Sequence, residues 1–340
     1  MVARRAGITL LTEDGTNLAD RINPRLLSLT LSEKREDDAD ELSITLTNTD
    51  GALAVPPSGA RLSLAMGWES GAGVPLGMVE KGRFTVDEIE LSGDPETMAI
   101  RARSADLTGL LRKRETKSWR STTLGSVLGD IAARHSRRLQ IAADLGSRAI
   151  DVIEQEGKSD MAFVRDLGKR YDAVATWKDD FLLFLPIGSS ATAGGTAMTR
   201  LRLQRRDGGS WRFSMGQREN YAGAEAQWHD DAAGRRRTVK VEGSATGSGE
   251  AGAEPKKLKR VYANEAEARQ AAEAAATRAA RTPYEFTFDL AIADPAIQPD
   301  ARVTLSGWNS LIDGIDWLVK AVETTFDANG LRQRLELESA

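Results

Sequence analysis

Chemistry in this chain has few residue types to work with: among 340 residues there are two histidines and no cysteine. Lack of cysteine excludes disulfides, thiolate zinc sites and cysteine nucleophiles. His135 falls on the apolar side of a helical pattern, and His229 stands between Trp228 and Asp230. Two histidines this isolated make no recognisable metal site, so both read as core or surface residues.

Two glycine motifs invite a phosphate. Gly247-Ser248-Gly249-Glu250-Ala251-Gly252 satisfies the dinucleotide-binding pattern letter for letter, with Glu273 further on. That chemistry requires a helix to open at the last glycine, so that its free N–H groups face a pyrophosphate. Here Pro255 and the basic run Lys256-Lys257-Leu258-Lys259-Arg260 follow instead, and the segment reads as a solvated loop. Gly157-Lys158-Ser159 has the letters that end a phosphate-binding loop, but Val152 stands where the first glycine belongs. Ser159 as a helix cap accounts for them better. Carboxylates are plentiful, yet a glycosidase pair needs two of them at a fixed separation, one with a raised pKa. Asp87, Glu88 and Glu90 lie among strand apolars and read as a solvated face. The clusters Arg235-Arg236-Arg237 and Lys256 to Arg260 read the same way. No residue is therefore assigned as catalytic, cofactor-binding or metal-ligating, and no cofactor is expected.

What remains to be explained is the scaffold. Residues 22–103 and 201–340 carry β-type alternation and flank a helix-bearing centre. In the first block apolar side chains alternate at Leu42, Ile44 and Leu46, at Leu62, Leu64, Met66 and Trp68, and at Phe84 and Val86; period two places one face of each strand in a core. Turn signals at Asn48 to Gly51, Pro56 to Gly59, Gly71 to Gly73 and Gly93 to Pro95 punctuate them. The second block repeats the habit at Leu201 and Leu203, Phe286 and Phe288, Val303 and Leu305, and Leu331, Leu335 and Leu337. The expectation is a mainly β chain with two tube-like antiparallel barrels. Three copies of such a duplicated chain would present six similar units with threefold symmetry, which points to assembly.

Between the blocks the period changes. Leu124, Val127, Leu128 and Ile131 fall at helical spacing behind Ser121 to Thr123, and Phe163, Val164, Leu167 and Tyr171 do so behind Ser159. Ala173 to Trp177 and Phe181 to Leu185 then read as a hairpin ending at Pro186, so the centre is a small α+β insert. Gly188 to Thr199 and Gly243 to Pro255 read as flexible connections, and the acidic run Glu36, Asp37, Asp38, Asp40 and Glu41 as a solvated loop. Asn264 caps an Ala-rich helix to Arg281, whose Ala268, Ala272, Ala275 and Ala279 make a face for close packing. The expected units are residues 1–111 (first barrel), 112–190 (insert) and 191–340 (second barrel, with the 243–255 loop and the 264–281 helix).

Composition narrows the function classes. A hydrophobic content of 41% suits a soluble globular protein. No run approaches the roughly eighteen apolar residues of a membrane span, and the apolar stretch Gly7 to Leu11 is too short for a signal peptide. The net charge of −4 combines an acidic first third with a mildly basic middle, too small an excess for a nucleic-acid face.

The stretch Leu107 to Pro186 resembles the bacteriophage late control gene D family, the tail hub proteins of contractile-tailed phages. The residues that carry the resemblance are Asp106 to Leu111, Trp119, the Leu124 to Ile131 helix, and Phe163 to Tyr171 leading to Trp177 and Phe184. Pro299, Val303, Leu305, Gly307, Trp308, Ile312-Asp313-Gly314, Trp317 to Val319 and Gly330 to Leu337 are similar to that family's closing barrel. The resemblance implies a structural hub: a homotrimer whose paired barrels form a pseudo-sixfold collar under the tail tube and hold a trimeric tail spike below. Implied partners are the tail tube or tube-initiator protein, baseplate wedge proteins and the tape measure protein, in a virion assembled in the host bacterial cytoplasm. Neither nucleic-acid binding nor a membrane span is expected. The competing reading is a cell-wall glycan-binding or peptidoglycan-hydrolysing tail component.

Overall fold

The computed structural model describes residues 3–35, 39–104, 113–178, 180–189, 197–215, 223–230, 233–242, 254–281 and 284–340. Glu36 to Asp38, the Asp106 to Leu111 motif, most of the Gly188 to Thr199 and Gly243 to Pro255 segments, and the Gly247 motif lie outside the described residues.

The first block contributes β1 (Arg5–Thr12), α1 (Ala19–Ile22), β2 (Leu26–Lys34), β3 (Glu41–Thr47), β4 (Arg61–Ser70), β5 (Gly77–Ser92) and β6 (Thr97–Arg103). The central part holds β7 (Arg114–Thr123), α2 (Leu124–Arg134), β8 (Arg138–Ile141), α3 (Ala143–Gly146), β9 (Ala149–Ser159), α4 (Asp160–Tyr171), β10 (Ala173–Lys178) and β11 (Phe181–Pro186). The last block comprises β12 (Leu201–Gln204), β13 (Gly208–Met215), β14 (Gly223–Asp230), β15 (Arg235–Glu242), β16 (Lys256–Tyr262), α5 (Glu265–Arg281), β17 (Tyr284–Leu290), β18 (Arg302–Ser306), α6 (Ser310–Asp313), β19 (Asp316–Asp327) and β20 (Gly330–Ser339). The chain is mainly β, as the alternation requires.

The barrel expectation needs correction. The two blocks share one twelve-stranded sheet, ordered β1-β4-β5-β6-β3-β2-β19-β20-β17-β13, with β12 and β18 attached beside β19. Neither block closes on itself among the described residues. The reason is the partner taken by β2: its second edge pairs antiparallel with β19, Leu29 opposite Phe326 and Leu31 opposite Thr324, so the edge that would close the first barrel is used to join the blocks. Each block still has its own core on the sheet. Leu29, Leu31, Leu42, Ile44, Leu64, Met66, Phe84 and Val86 pack together in the first, and Phe286, Phe288, Val303, Trp317, Val322 and Leu335 in the last.

Helices form where the 3.6-residue period and a capping side chain coincide. The Thr123 hydroxyl accepts from Ser126 N to open α2, and the Ser159 hydroxyl accepts from Ala162 N at 3.2 Å to open α4. Their buried faces meet Trp119, Ile150, Trp177, Leu182 and Phe184 in a third core. β10 and β11 form the expected antiparallel hairpin, and β11 also pairs in parallel with β8. In the last block β14 lies between β15 and β16, and the alanine face of α5 packs on this small sheet. Asn264 Oδ1 accepts from Glu267 N at 2.9 Å, the cap that the sequence suggests.

Candidate functional surface

Because strand residues alternate between faces, the cores on one side of the sheet leave a second face to be accounted for. From β5 to β13 every neighbouring pair is antiparallel, and the residues opposite the cores are polar almost throughout. They are Glu88 and Glu90 on β5, Thr97 and Arg101 on β6, Ser43 and Thr45 on β3, and Ser28, Thr30 and Ser32 on β2. Across the junction the face continues through Glu323 and Thr325 on β19, Arg332 and Arg334 on β20, Thr287 and Asp289 on β17, and Arg212 on β13. Neither block interrupts it.

Charges on this face neutralise one another across strands. Arg101 donates to Glu88 at 2.9 Å, and Arg334 holds Asp289 with two hydrogen bonds of 2.6 and 3.0 Å. Arg332 pairs with Asp327. Burial pulls Lys320 down, but the hydrogen bond to Glu285 at 3.1 Å and the nearby Glu338 and Glu336 outweigh it and hold its ammonium above the ordinary lysine value. Asp289, Leu290, Glu323, Thr325, Arg332, Gln333 and Arg334 surround a shallow depression. Chemically the face offers a balanced, hydroxyl-rich wall, with no charge isolated in a dry cleft.

A second polar feature joins the three parts of the chain. Glu33 of β2 and Lys81 of β5 meet at 2.6 Å with side chains 2% and 1% exposed. Lys178 of β10 reaches Asp40 at 2.9 Å and Glu33 at 3.7 Å. Arg35 pairs with Glu338 of β20, and Gly188 N donates to Asp300 at 2.8 Å. Toward α5, Arg170 pairs with Glu267. The sequence reading placed Asp40 and Glu41 in a solvated loop, whereas Asp40 is buried on Lys178 and Glu41 opens β3; it did not single out Glu33, Lys81 or Lys178. The available signal was Glu33, a charge in the slot after Leu29 and Leu31 where β2 points to its core.

The residues that the sequence did single out occupy structural positions. His135 Nε2 lies 2.7 Å from Asp160, whose other oxygen accepts from Gln155 at 2.7 Å, and the ring meets Trp177 edge-on. This holds α2 to the start of α4. His229 is exposed on β14 opposite Arg236. Lys158 pairs with Asp166, and Gly157 sits at φ +58°, a turn conformation in front of the Ser159 cap. Arg235 to Arg237 and Lys256 to Arg260 belong to strands β15 and β16, with Arg237 on Asp230 at 2.7 Å and Arg260 over the Tyr262 ring. Among the described residues no group of three or more His, Asp or Glu is placed to hold a metal, and no helix is long and apolar enough to cross a membrane.

Comparison with known proteins matches this architecture. The probable baseplate hub protein of Escherichia phage 186 is 32% identical over 362 residues, covering 97% of this chain and 92% of its own length. A tail protein structure from Neisseria meningitidis superimposes with a TM-score of 0.68 at 12% identity, covering 98% of this chain and 97% of its own. An E. coli component of the type VI secretion system does so with a TM-score of 0.56 at 12% identity, covering 93% of this chain and 74% of its own. These two likenesses show the fold. The sequence also matches the phage tail baseplate hub (GPD) family across residues 41–330, and the chain therefore belongs to the phage tail baseplate hub family.

Proposed function

We propose that this hub protein works as a homotrimeric adaptor that joins a six-fold tail tube to a three-fold spike. Its membership makes it a structural component of a virion tail, not an enzyme. The observation that carries the finer reading is the antiparallel ladder from β5 to β13 with two cores on one side and one polar face on the other. Two similar half-walls per chain become six around a threefold axis. In this reading the polar face lines the channel: hydroxyls and paired charges stay hydrated and present no apolar patch to whatever passes. The division at residues 111/112 and 190/191 into two wall units and an insert belongs to the same proposal. The insert carries contacts to baseplate wedge proteins, while the wall units meet the tube or its initiator, the tape measure protein and the spike. Assembly in the host cytoplasm completes the picture.

Light-scattering mass tests it. A value of three protomers of 36.8 kDa each, alone or with the neighbouring spike, is expected; a single protomer even with the spike present would overturn the adaptor. The hydrolase reading has no observation in its favour, and sustained clearing of purified peptidoglycan by the protein would be needed to revive it.

A further inference from the structure

Where the insert meets the last block, α4 and α5 are clasped at both ends. Arg170 pairs with Glu267 at the start of α5, and its guanidinium lies over the rings of Tyr171 and Tyr262, 5.7 and 5.5 Å from their centroids. At the other end Arg278 donates to the Lys169 carbonyl at 2.6 Å and pairs with Asp172 at 3.6 Å. Held this way, the two helices and β16 leave a cleft of about 280 Å³ between them. Its floor is apolar, made by the buried Phe163, Leu167, Tyr262, Ala271 and Ala275. No strand of the twelve-stranded sheet lines it.

The rim above this floor is basic. Lys158, Lys169, Arg170, Arg260 and Arg278 line the cleft, against Glu154 and Asp166. A hollow of about 100 Å³ adjoins it, sharing Lys169 and Arg278 and adding Arg165, with no carboxylate in its lining. Lys158 is neutralised by Asp166, and Arg170 and Arg278 are engaged in the clasp. Lys169 and Arg260 are exposed and have no acid partner among the described residues. The whole chain carries a net charge of −4, so this local excess of bases does not continue a generally basic surface.

Size and charge together select the occupant. The cleft falls below the range of small-molecule and cofactor pockets, roughly 300–1,000 Å³, and has room for one or two side chains. An apolar floor under a basic rim complements an apolar anchor flanked by carboxylates. Nucleic acid is a poorer match, because single strands stack on open aromatic faces, whereas Phe163 and Tyr262 are only 4% and 8% exposed. We infer that the cleft between α4 and α5 docks an acidic segment of a partner protein, with one apolar side chain seated on the floor and the neighbouring carboxylates held by Lys169 and Arg260. The clasp fixes the cleft before the partner arrives, which lowers the ordering cost of binding. This goes beyond the adaptor reading and stands without it, since all these residues lie in one chain.

Selection of a displayed library of random peptides on the full-length protein tests it. The recovered peptides are expected to be rich in Asp and Glu around an apolar residue, and to bind less tightly as salt is raised. Lys169→Glu combined with Arg260→Glu, both exposed and outside the clasp, should weaken these peptides at least about tenfold while leaving the light-scattering mass unchanged and the melting temperature within a few degrees. Lys169→Arg combined with Arg260→Lys should keep the binding. Recovery of no peptide, of peptides without acidic enrichment, or of acidic peptides that bind the charge-reversed protein as tightly would overturn the inference. A single-stranded oligonucleotide that binds the unmodified protein and loses affinity to the same degree in the charge-reversed variant would also overturn it, and would give the cleft to nucleic acid.

Discussion

Glu33 and Lys81 show what a single side chain does here. Each is almost wholly removed from water and their charged atoms are 2.6 Å apart. Attraction between buried ions roughly offsets their desolvation, so the pair contributes little net stability, but loss of one member leaves the other charged and dry. Glu33→Ala is therefore expected to destabilise the protein by about 3–5 kcal/mol in urea unfolding, since it also takes a carboxylate from Lys178, 3.7 Å away on the other Glu33 oxygen. Arg334→Ala, on the solvated face with a side chain 53% exposed, should cost below about 1 kcal/mol. Equal losses from the two variants would contradict this division between joint and wall. Glu33 was legible as an oddity of the strand pattern; its partner was not, because Lys81 lies 48 residues away in sequence and on a strand that is not a neighbour of β2 in the sheet.

At the level of elements, helices were easier to read than sheets. A helix closes its hydrogen bonds within a few residues, so the Ser121 to Thr123 run, Ser159 and Asn264 announced α2, α4 and α5, and the structure uses Thr123, Ser159 and Asn264 as the caps. Glu267, which a capping box would turn back to the Asn264 N–H, pairs instead with Arg170 of α4, a contact from another part of the chain. The alanine face of α5 is a matter of space. Ala268 and Ala272 are fully buried against Ala224 and Ala226 of β14, an approach that larger side chains would not permit. Ala272→Leu should overpack this contact and cost about 1–3 kcal/mol, visible as a lower melting temperature. An unchanged melt would mean that α5 can lift from the sheet without loss.

For the molecule as a whole, the insert is clasped to the first block by Asp180, which accepts from Arg83 of β5 and, at 2.8 Å, from Arg137 beside β8. The Arg83 guanidinium, against a smaller opposing effect of burial, holds the Asp180 carboxyl below its ordinary value of 3.8, with Arg137 and Arg138 adding to it. A depressed acid stabilises the folded state above its unfolded pKa and loses that contribution as the pH falls through the folded value. The clasp is thus intact at neutral pH and weakens on acidification below 3.8. Asp180→Asn should lower the melting temperature slightly near neutrality and flatten its decline as the pH falls below 3.8. Parallel curves for the two proteins would show that Asp180 does not couple the insert to the block. The exposure of this pair, about half for both Arg83 and Asp180, keeps the expected effect small.

Residue order alone determined the β character of both blocks, the helices and hairpin of the centre and the caps, because each depends on local period or on residue type. The family was legible for the same reason: apolar and turn residues such as Trp119, Trp308 and Ile312-Asp313-Gly314 mark local folds. Tertiary structure decided which strands pair. The alternating strands β2, β3, β19 and β20 could each face several partners, and only the assembled sheet sets Leu29 against Phe326 and joins two expected barrels into one twelve-stranded sheet. Pairing of that kind is a competition among distant segments with the same period, and local sequence carries no term that decides it.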